Sequence, residues 1–306
     1  MQSFNTNDGV TLKYIDTASP TSNTEASKQD VLILIHGFTG SSAVWKKNIP
    51  ALQPRFRVIA PDLRGHGESD KPKHGFHVSR LAMDLKELIQ HLGLQSIRAL
   101  GGSLGCSILW CYAELFTTAE FSHMVFVDQS PLQNSTLDGW DSRYCNRGMN
   151  SAPAVAALQA TLALAPEQAH KGTIAACLAY RSHPLSTDAV DSETQQADED
   201  FFLGEAMRGN GRWYGKLMED HTALDWRDSI KATFGPGSRS KTKVLVVASS
   251  RSGCFPSEGP LKVVDFINGD ASNKLAKSVV TDRGGHWCFW ESADEFNETV
   301  LGFLDD

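Results

Sequence analysis

The segment Gly101-Gly102-Ser103-Leu104-Gly105 sets a serine among small residues, directly after the run Ile97-Arg98-Ala99-Leu100 and ahead of an apolar stretch that reaches Phe116. A serine on a tight strand-to-helix turn has its hydroxyl lifted above the sheet, and the start of the helix favours negative charge developing nearby. Serine needs a base to become a nucleophile. Of the ten histidines, His286 alone has a suitable setting: Gly284-Gly285 precede it, giving a loop that can bring the imidazole back over the sheet edge. His36-Gly37-Phe38-Thr39-Gly40 follows another aliphatic run, and the backbone N–H groups of Phe38 and Leu104 are the candidate oxyanion donors. His36 itself reads as a brace for that loop, and Asp62, Arg64 and His66 in Pro61-Asp62-Leu63-Arg64-Gly65-His66-Gly67-Glu68-Ser69 as loop-fixing residues.

These residues need a scaffold that holds them at one edge. Val31 to Ile35, Phe56 to Ala60, Ile97 to Leu100, His123 to Val127, Val244 to Val247 and Ser278 to Val280 are short, continuous apolar runs of the kind buried on both faces of a parallel sheet. Helical spacing recurs between them, over His77 to Leu92, Leu104 to Phe116, Pro260 to Ile267 and Ala293 to Leu304. Phe4 to Asp16 reads as a hairpin about Asn7-Asp8-Gly9, and Thr17 to Asp30 as a polar loop. Alternation of this kind implies an α/β protein, a mostly parallel sheet with helices on both faces. Residues 132–230 break the pattern, with helix-like stretches at Ala154 to Leu164 and Gly172 to Tyr180, a polar linker at Gln195 to Asp200, and no buried strand. They are expected to form a helical cap inserted into a core made of residues 1–131 and 231–306.

Composition narrows the function. Among 306 residues, 29 Lys and Arg face 36 Asp and Glu, for a formal charge of −7 without a basic cluster, which argues against nucleic acid or an anionic membrane as partner. The amino terminus shows no signal peptide and no stretch is long and apolar enough for a membrane span, so a soluble cytoplasmic protein is expected. The six cysteines lie far apart with no Cys/His spacing that suggests zinc, and they are assigned no role.

In identity and order, HGFTG, PDLRGHGES, GGSLG and GGHW resemble the motifs of the α/β-hydrolase superfamily, over essentially the whole chain. The resemblance implies Ser103 as nucleophile, His286 as base, and Phe38 and Leu104 as oxyanion donors. It also exposes a departure. Many relatives carry the acid in a segment like G-x-x-D after the strand here read as Val244 to Val247, where this chain has Ser252 and no carboxylate before Glu258. Asp128, after Val125-Phe126-Val127, takes the role instead, as in zearalenone-type lactone hydrolases and some haloalkane dehalogenases; Asp282 and Glu258 are the alternatives. The dehalogenases use an aspartate nucleophile, so their route is closed to Ser103.

The expected activity is therefore cofactor-free and metal-free cleavage of a carboxylic ester or lactone of a largely neutral, apolar or aromatic small molecule, through an acyl-enzyme. Carbon–carbon, thioester or perhydrolysis chemistry on the same triad is the alternative, as is a ligand receptor with vestigial turnover. Trp140, Tyr180, Phe201, Phe202, Trp213, Tyr214 and Trp226 are available to line the substrate pocket from the cap, with Trp213 and Tyr214 the leading candidates.

Overall fold

The six aliphatic runs become β3 (Asp30–Ile35), β4 (Phe56–Pro61), β5 (Ile97–Gly102), β6 (Phe121–Val127), β7 (Lys243–Ser249) and β8 (Ala276–Thr281). All six pair in parallel, and the hairpin β1 (Gln2–Asn5) and β2 (Thr11–Asp16) adds to β4 antiparallel, giving the order β1-β2-β4-β3-β5-β6-β7-β8. This computed structural model describes residues 1–18, 29–148, 151–188, 190–272 and 274–305, so most of the loop expected over Thr17 to Asp30 lies outside the described residues.

Side chains alternate across each strand, and the chain uses both faces. Ile33 and Ile35 of β3 join the layer holding α2 (Val78–His91) and α3 (Leu104–Phe116), together with α9 (Arg227–Phe234) and α10 (Glu258–Asn268). Leu32 and Leu34 point the other way, toward α1 (Ile49–Leu52), α11 (Cys288–Glu291) and α12 (Ala293–Leu304). Burial on both faces is why these strands read as unbroken apolar runs, while β8, at the sheet edge, leaves Val279 and Val280 exposed.

Between β6 and β7 come α4 (Ala152–Leu164), α5 (Pro166–Cys177), α6 (Ala179–Ser182), α7 (Ser192–Ala206) and α8 (Gly211–Ala223), then α9. Two local expectations change. Gln195 to Asp200 is no linker but lies within α7, whose start is capped by the Asp191 side chain accepting from Thr194 N–H at 2.8 Å and whose apolar positions Phe202 and Ala206 are buried. The helix sought over Gly172 to Tyr180 starts earlier, at Pro166, and stops at Cys177, where the extended Leu178 separates it from the single turn of α6.

Because β3, β5, β6, β7 and β8 are parallel, their carboxyl ends share one sheet edge, and the loops that follow them meet there. Closing the turn after β5 demands small residues. A Cβ on Gly105 would stand 2.5 Å from the backbone oxygen of Ile35, and one on Gly101 would stand 2.5 Å from the carbonyl carbon of Gly105. Since Ile35 is fixed by its own strand pairing, Gly105→Ala must push α3 away from β3. A loss of about 3 kcal/mol is expected, measurable by urea unfolding monitored by circular dichroism. A wild-type midpoint would show that the turn has slack.

Candidate active site

Ser103 sits between β5 and α3 with φ 53° and ψ −118°, in a backbone region that an L-residue rarely adopts. Its N–H donates to Val127 O at 3.0 Å, and its carbonyl accepts the Cys106 N–H at 2.8 Å, so the strained turn is held from both sides. Only four non-glycine residues among those described have positive φ. Three of them, Thr39, Ser103 and Asp128, occupy the loops at this edge. Strain of about 1–3 kcal/mol per such residue persists only where the surroundings enforce it.

Asp128 follows β6, is fully buried, and divides its carboxylate between two partners. Oδ2 accepts from His286 Nδ1 at 2.7 Å, and Oδ1 accepts from the Ser249 N–H at 3.0 Å. The pairing fixes the imidazole with Nδ1 protonated and Nε2 free to act as base. Asp282 and Glu258 make no bond to His286. The Ser103 hydroxyl donates not to His286 but to Gln129 Oε1, at 3.3 Å; rotation about the Ser103 side chain is needed to bring it to the base, as is common before substrate binds. Gln129 is held by its own amide on Ser130 O at 2.9 Å and was invisible to motif reading, since no motif contains it.

The loop containing Gly37 packs against the turn, so that a Cβ there would be 3.1 Å from both Gly102 O and Ser103 Cβ. Neither Phe38 nor Leu104 has an acceptor for its backbone N–H among the described residues. His36 is buried and neutral: Nε2 accepts the Leu63 N–H at 3.1 Å, Nδ1 bonds Gly37 O at 2.8 Å, and burial keeps its pKa below the usual value. It braces the loop. Asp62 accepts from Ser42 and Glu68 N–H groups, each at 2.7 Å, and Arg64 is clasped by Asp84 and Asp8, so both fix their loop.

The cavity at Ser103 measures about 70 Å³. Phe38, Phe255 and Trp287 supply its aromatic walls; Leu158, Thr173, Cys177, Met218 and His221 reach it from α4, α5 and α8; Gln133 and Asn146 add amides. A larger cleft of about 750 Å³ opens beside Thr118, Ser122, His123 and Lys243, at the amino ends of β6 and β7, the opposite sheet edge from Ser103.

The expected aromatic wall is not what the structure builds. None of Trp140, Tyr180, Phe201, Phe202, Trp213, Tyr214 and Trp226 lines the cavity. Tyr214 is fully buried against Phe38 and His66, ring centroids 5.4 and 4.6 Å away, and its hydroxyl donates to Gly65 O at 3.3 Å. Trp213 stacks on Phe76 at 5.6 Å, while Phe202 stacks on Trp287 at 3.7 Å and Phe201 on Trp290 at 4.6 Å. Large rings bury the most area where two layers meet, and these rings join the inserted helices to the sheet domain.

Two cysteines that no motif points to also face the cavity. Cys177, at the end of α5, and Cys254, after β7, have their sulfurs 3.7 Å apart beside His286. They are 77 positions apart in the chain, so spacing rules could not pair them. Burial, then the neighbouring sulfur, pushes Cys177 well above the usual thiol range; the hydrogen bond from Cys177 holds Cys254 below it. Burial alone would depress His286, but the negative charges of Cys254 and Asp128 outweigh it and hold the imidazole above its usual value.

Asp128→Asn is expected to lower kcat about 10⁴-fold with little loss of stability, because an amide can still accept from Ser249 N–H but favours the wrong tautomer of His286. Steady-state kinetics beside a thermal melt would separate the two, and an equal collapse in Asp282→Asn or Glu258→Gln would move the acid elsewhere. The base works deprotonated, so a raised His286 pKa means that kcat/KM falls as pH drops through a value above that of ordinary histidine. Removing the charge of Cys254 lowers that pKa. The acid limb of the profile should therefore move to lower pH in Cys254→Ala, and an unmoved limb would show that Cys254 carries no charge there.

Comparison with known proteins bears on the fold and the family. A soluble epoxide hydrolase from Corynebacterium sp. (strain C12) is 44% identical over 82 residues, 27% of this chain and 29% of that protein, and the chain spans no more than half the length of the curated relatives it matches. Among solved structures, an esterase from Exiguobacterium antarcticum aligns with TM-score 0.81 at 19% identity, covering 99% of both chains. An enol-lactonase from Burkholderia xenovorans LB400 aligns with TM-score 0.77 at 17% identity, covering all of both. At such identities these two speak for the fold. The family model for the alpha/beta hydrolase fold matches residues 30–293, and the chain belongs to that family.

Proposed function

We propose that the protein is a serine hydrolase that cleaves a small, neutral carboxylic ester or lactone through an acyl-enzyme. The observation that carries this is the buried Asp128–His286 hydrogen bond of 2.7 Å, with His286 and a serine on a strained turn sharing one cavity. Ser103 Oγ attacks the acyl carbon as His286 Nε2 takes its proton; the N–H groups of Phe38 and Leu104 receive the oxyanion. His286 then returns the proton to the leaving alkoxide. Water, deprotonated by the same imidazole, clears the ester on Ser103.

The walls support a neutral substrate. No Lys, Arg, Asp or Glu lines the cavity, so a charged acyl group would be desolvated without a partner. The cavity volume of about 70 Å³ supports a short acyl chain. A flat aromatic substrate would require the inserted helices to move. That block acts in this reading as a cap, though α9 packs on the core rather than over the cavity.

The epoxide hydrolase among the relatives suggests ring opening as a second reading. The residue on the turn weighs against it. Serine attack on an epoxide would leave an ether, which water does not cleave readily, whereas attack on an acyl carbon leaves an ester, which it does.

A fluorophosphonate should label Ser103, as read by peptide mass mapping, and Ser103→Ala should lose about 10⁴- to 10⁶-fold in kcat. Across p-nitrophenyl esters and lactones of graded size, kcat/KM should fall as the acyl group lengthens, and Trp213→Ala should leave that ratio unchanged. Labelling at another serine removes the mechanism. A preference for bulky aromatic acyl groups, lost in Trp213→Ala, would restore Trp213 to the substrate site.

A further inference from the structure

Cys177 at the end of α5, Cys254 after β7 and His286 after β8 come from three separate segments, yet their sulfur and imidazole ligand atoms all lie within 4.8 Å of one another on the cavity at Ser103. We propose that these three side chains form a binding site for a thiophilic divalent metal, Zn²⁺, whose occupation takes His286 away from Ser103 and switches hydrolysis off.

The geometry suits a metal better than a disulfide. Two thiolates on a tetrahedral zinc, at about 2.3 Å each, stand about 3.8 Å apart. The observed separation is 3.7 Å. A disulfide would need the sulfurs about 2.05 Å apart, and so a shift that the buried end of α5 opposes. The imidazole is also prepared. Its Nδ1–H donates to Asp128 at 2.7 Å, leaving Nε2 for the metal, and a carboxylate on the far nitrogen is the arrangement that strengthens and orients metal-bound histidine. The cavity leaves the fourth position open to water.

Binding is balanced as an ionisation. Two protons go to solvent as the metal bonds form, one from the Cys177 thiol and one from the Cys254–His286 pair, and nothing is oxidised or reduced. The consequence for catalysis is direct, because the lone pair that would accept the Ser103 proton becomes the metal bond. Zn²⁺ would also tie α5 of the inserted helices to the loop after β7, holding the cavity closed. The site stands on its own geometry; only its inhibitory effect rests on the hydrolase reading.

The test uses the whole chain stripped with a chelator. Zn²⁺ should bind at one equivalent per chain, and Co²⁺ should give tetrahedral absorption with a thiolate-to-metal charge-transfer band. Zn²⁺ should shield Cys177 and Cys254 from iodoacetamide, scored by peptide mapping, while labelling of the other four cysteines stays as it was. Cys177→Ser and Cys254→Ser should each weaken binding at least about 100-fold by competition with a chromophoric chelator, since losing a ligand costs no less than losing the group that orients one. Hydrolysis of p-nitrophenyl acetate by wild type should stop with Zn²⁺ and return with chelator. Equal alkylation with and without Zn²⁺, or unchanged affinity in both serine variants, overturns the site, as does a Cys177–Cys254 disulfide formed in place of metal retention. If the cysteines are shielded yet hydrolysis continues, the inhibitory role falls. If no ester is hydrolysed under any condition, the hydrolase reading fails while the binding measurements still decide the metal site.

Discussion

Asp128 has three fixed bonds, and the site is organised around them. Its N–H donates to Val247 O at 2.8 Å, its Oδ1 accepts from Ser249 N–H at 3.0 Å, and its Oδ2 is thereby left facing His286 Nδ1. Two of the three tie the residue to β7, so the carboxylate is placed by sheet pairing rather than by a flexible loop. A buried carboxylate costs several kcal/mol unless its charge is met by donors, and here the donors are one backbone N–H and the base itself. Everything downstream depends on this placement. The imidazole takes its tautomer from Oδ2, and Ser103 is pinned to the same strand end, through its own N–H on Val127 O.

With the acid supplied from β6, the loop after β7 is free for another use. Ser252, where many relatives carry the carboxylate, accepts the N–H groups of Cys254 and Phe255, each at 3.2 Å, and so closes a turn. That turn carries Cys254 and Phe255 into the cavity wall.

The sheet and the chemistry at its edge were legible because each rests on local rules. Six parallel strands read as apolar runs since both faces are buried, and Ser103, His286 and the two oxyanion donors sit in short motifs whose turns must have small residues. Asp128 was legible by order along the chain, as the carboxylate at the end of β6. The walls were not. Gln129 meets Ser103, and His221, Cys177 and Cys254 reach the cavity, by tertiary packing of segments far apart in sequence, with no periodicity or spacing to announce it. Trp213 and Tyr214 misled for a related reason: aromatic composition says that a segment buries area, and only packing decides whether that area faces a substrate or the core.

The inserted helices are joined to the catalytic loops by more than apolar contact, and this bears on how substrate enters. Glu291 of α11 accepts the Gly285 N–H at 2.6 Å from the loop that bears His286, and the Ala179 N–H of α6 at 2.9 and 3.1 Å. Burial raises its pKa to about 7, against the pull of those two N–H groups. Nearby, Gly253 N–H donates to Ala176 O at 3.0 Å, and Arg251 holds His183 O at 2.9 and 3.0 Å. The α5–α6 corner is therefore clamped to the two loops that carry Cys254 and His286. α4 and α8, which pack on each other and contribute Leu158, Met218 and His221, meet the catalytic loops with no comparable set of backbone bonds. If the cavity is to open for anything larger than a short acyl group, displacing the α4–α8 side breaks apolar packing and side-chain hydrogen bonds such as Tyr214 to Gly65 O and Asn134 to Thr222 O but leaves the loop bearing His286 in place, whereas at α5–α6 it would unpair backbone donors and move the base itself.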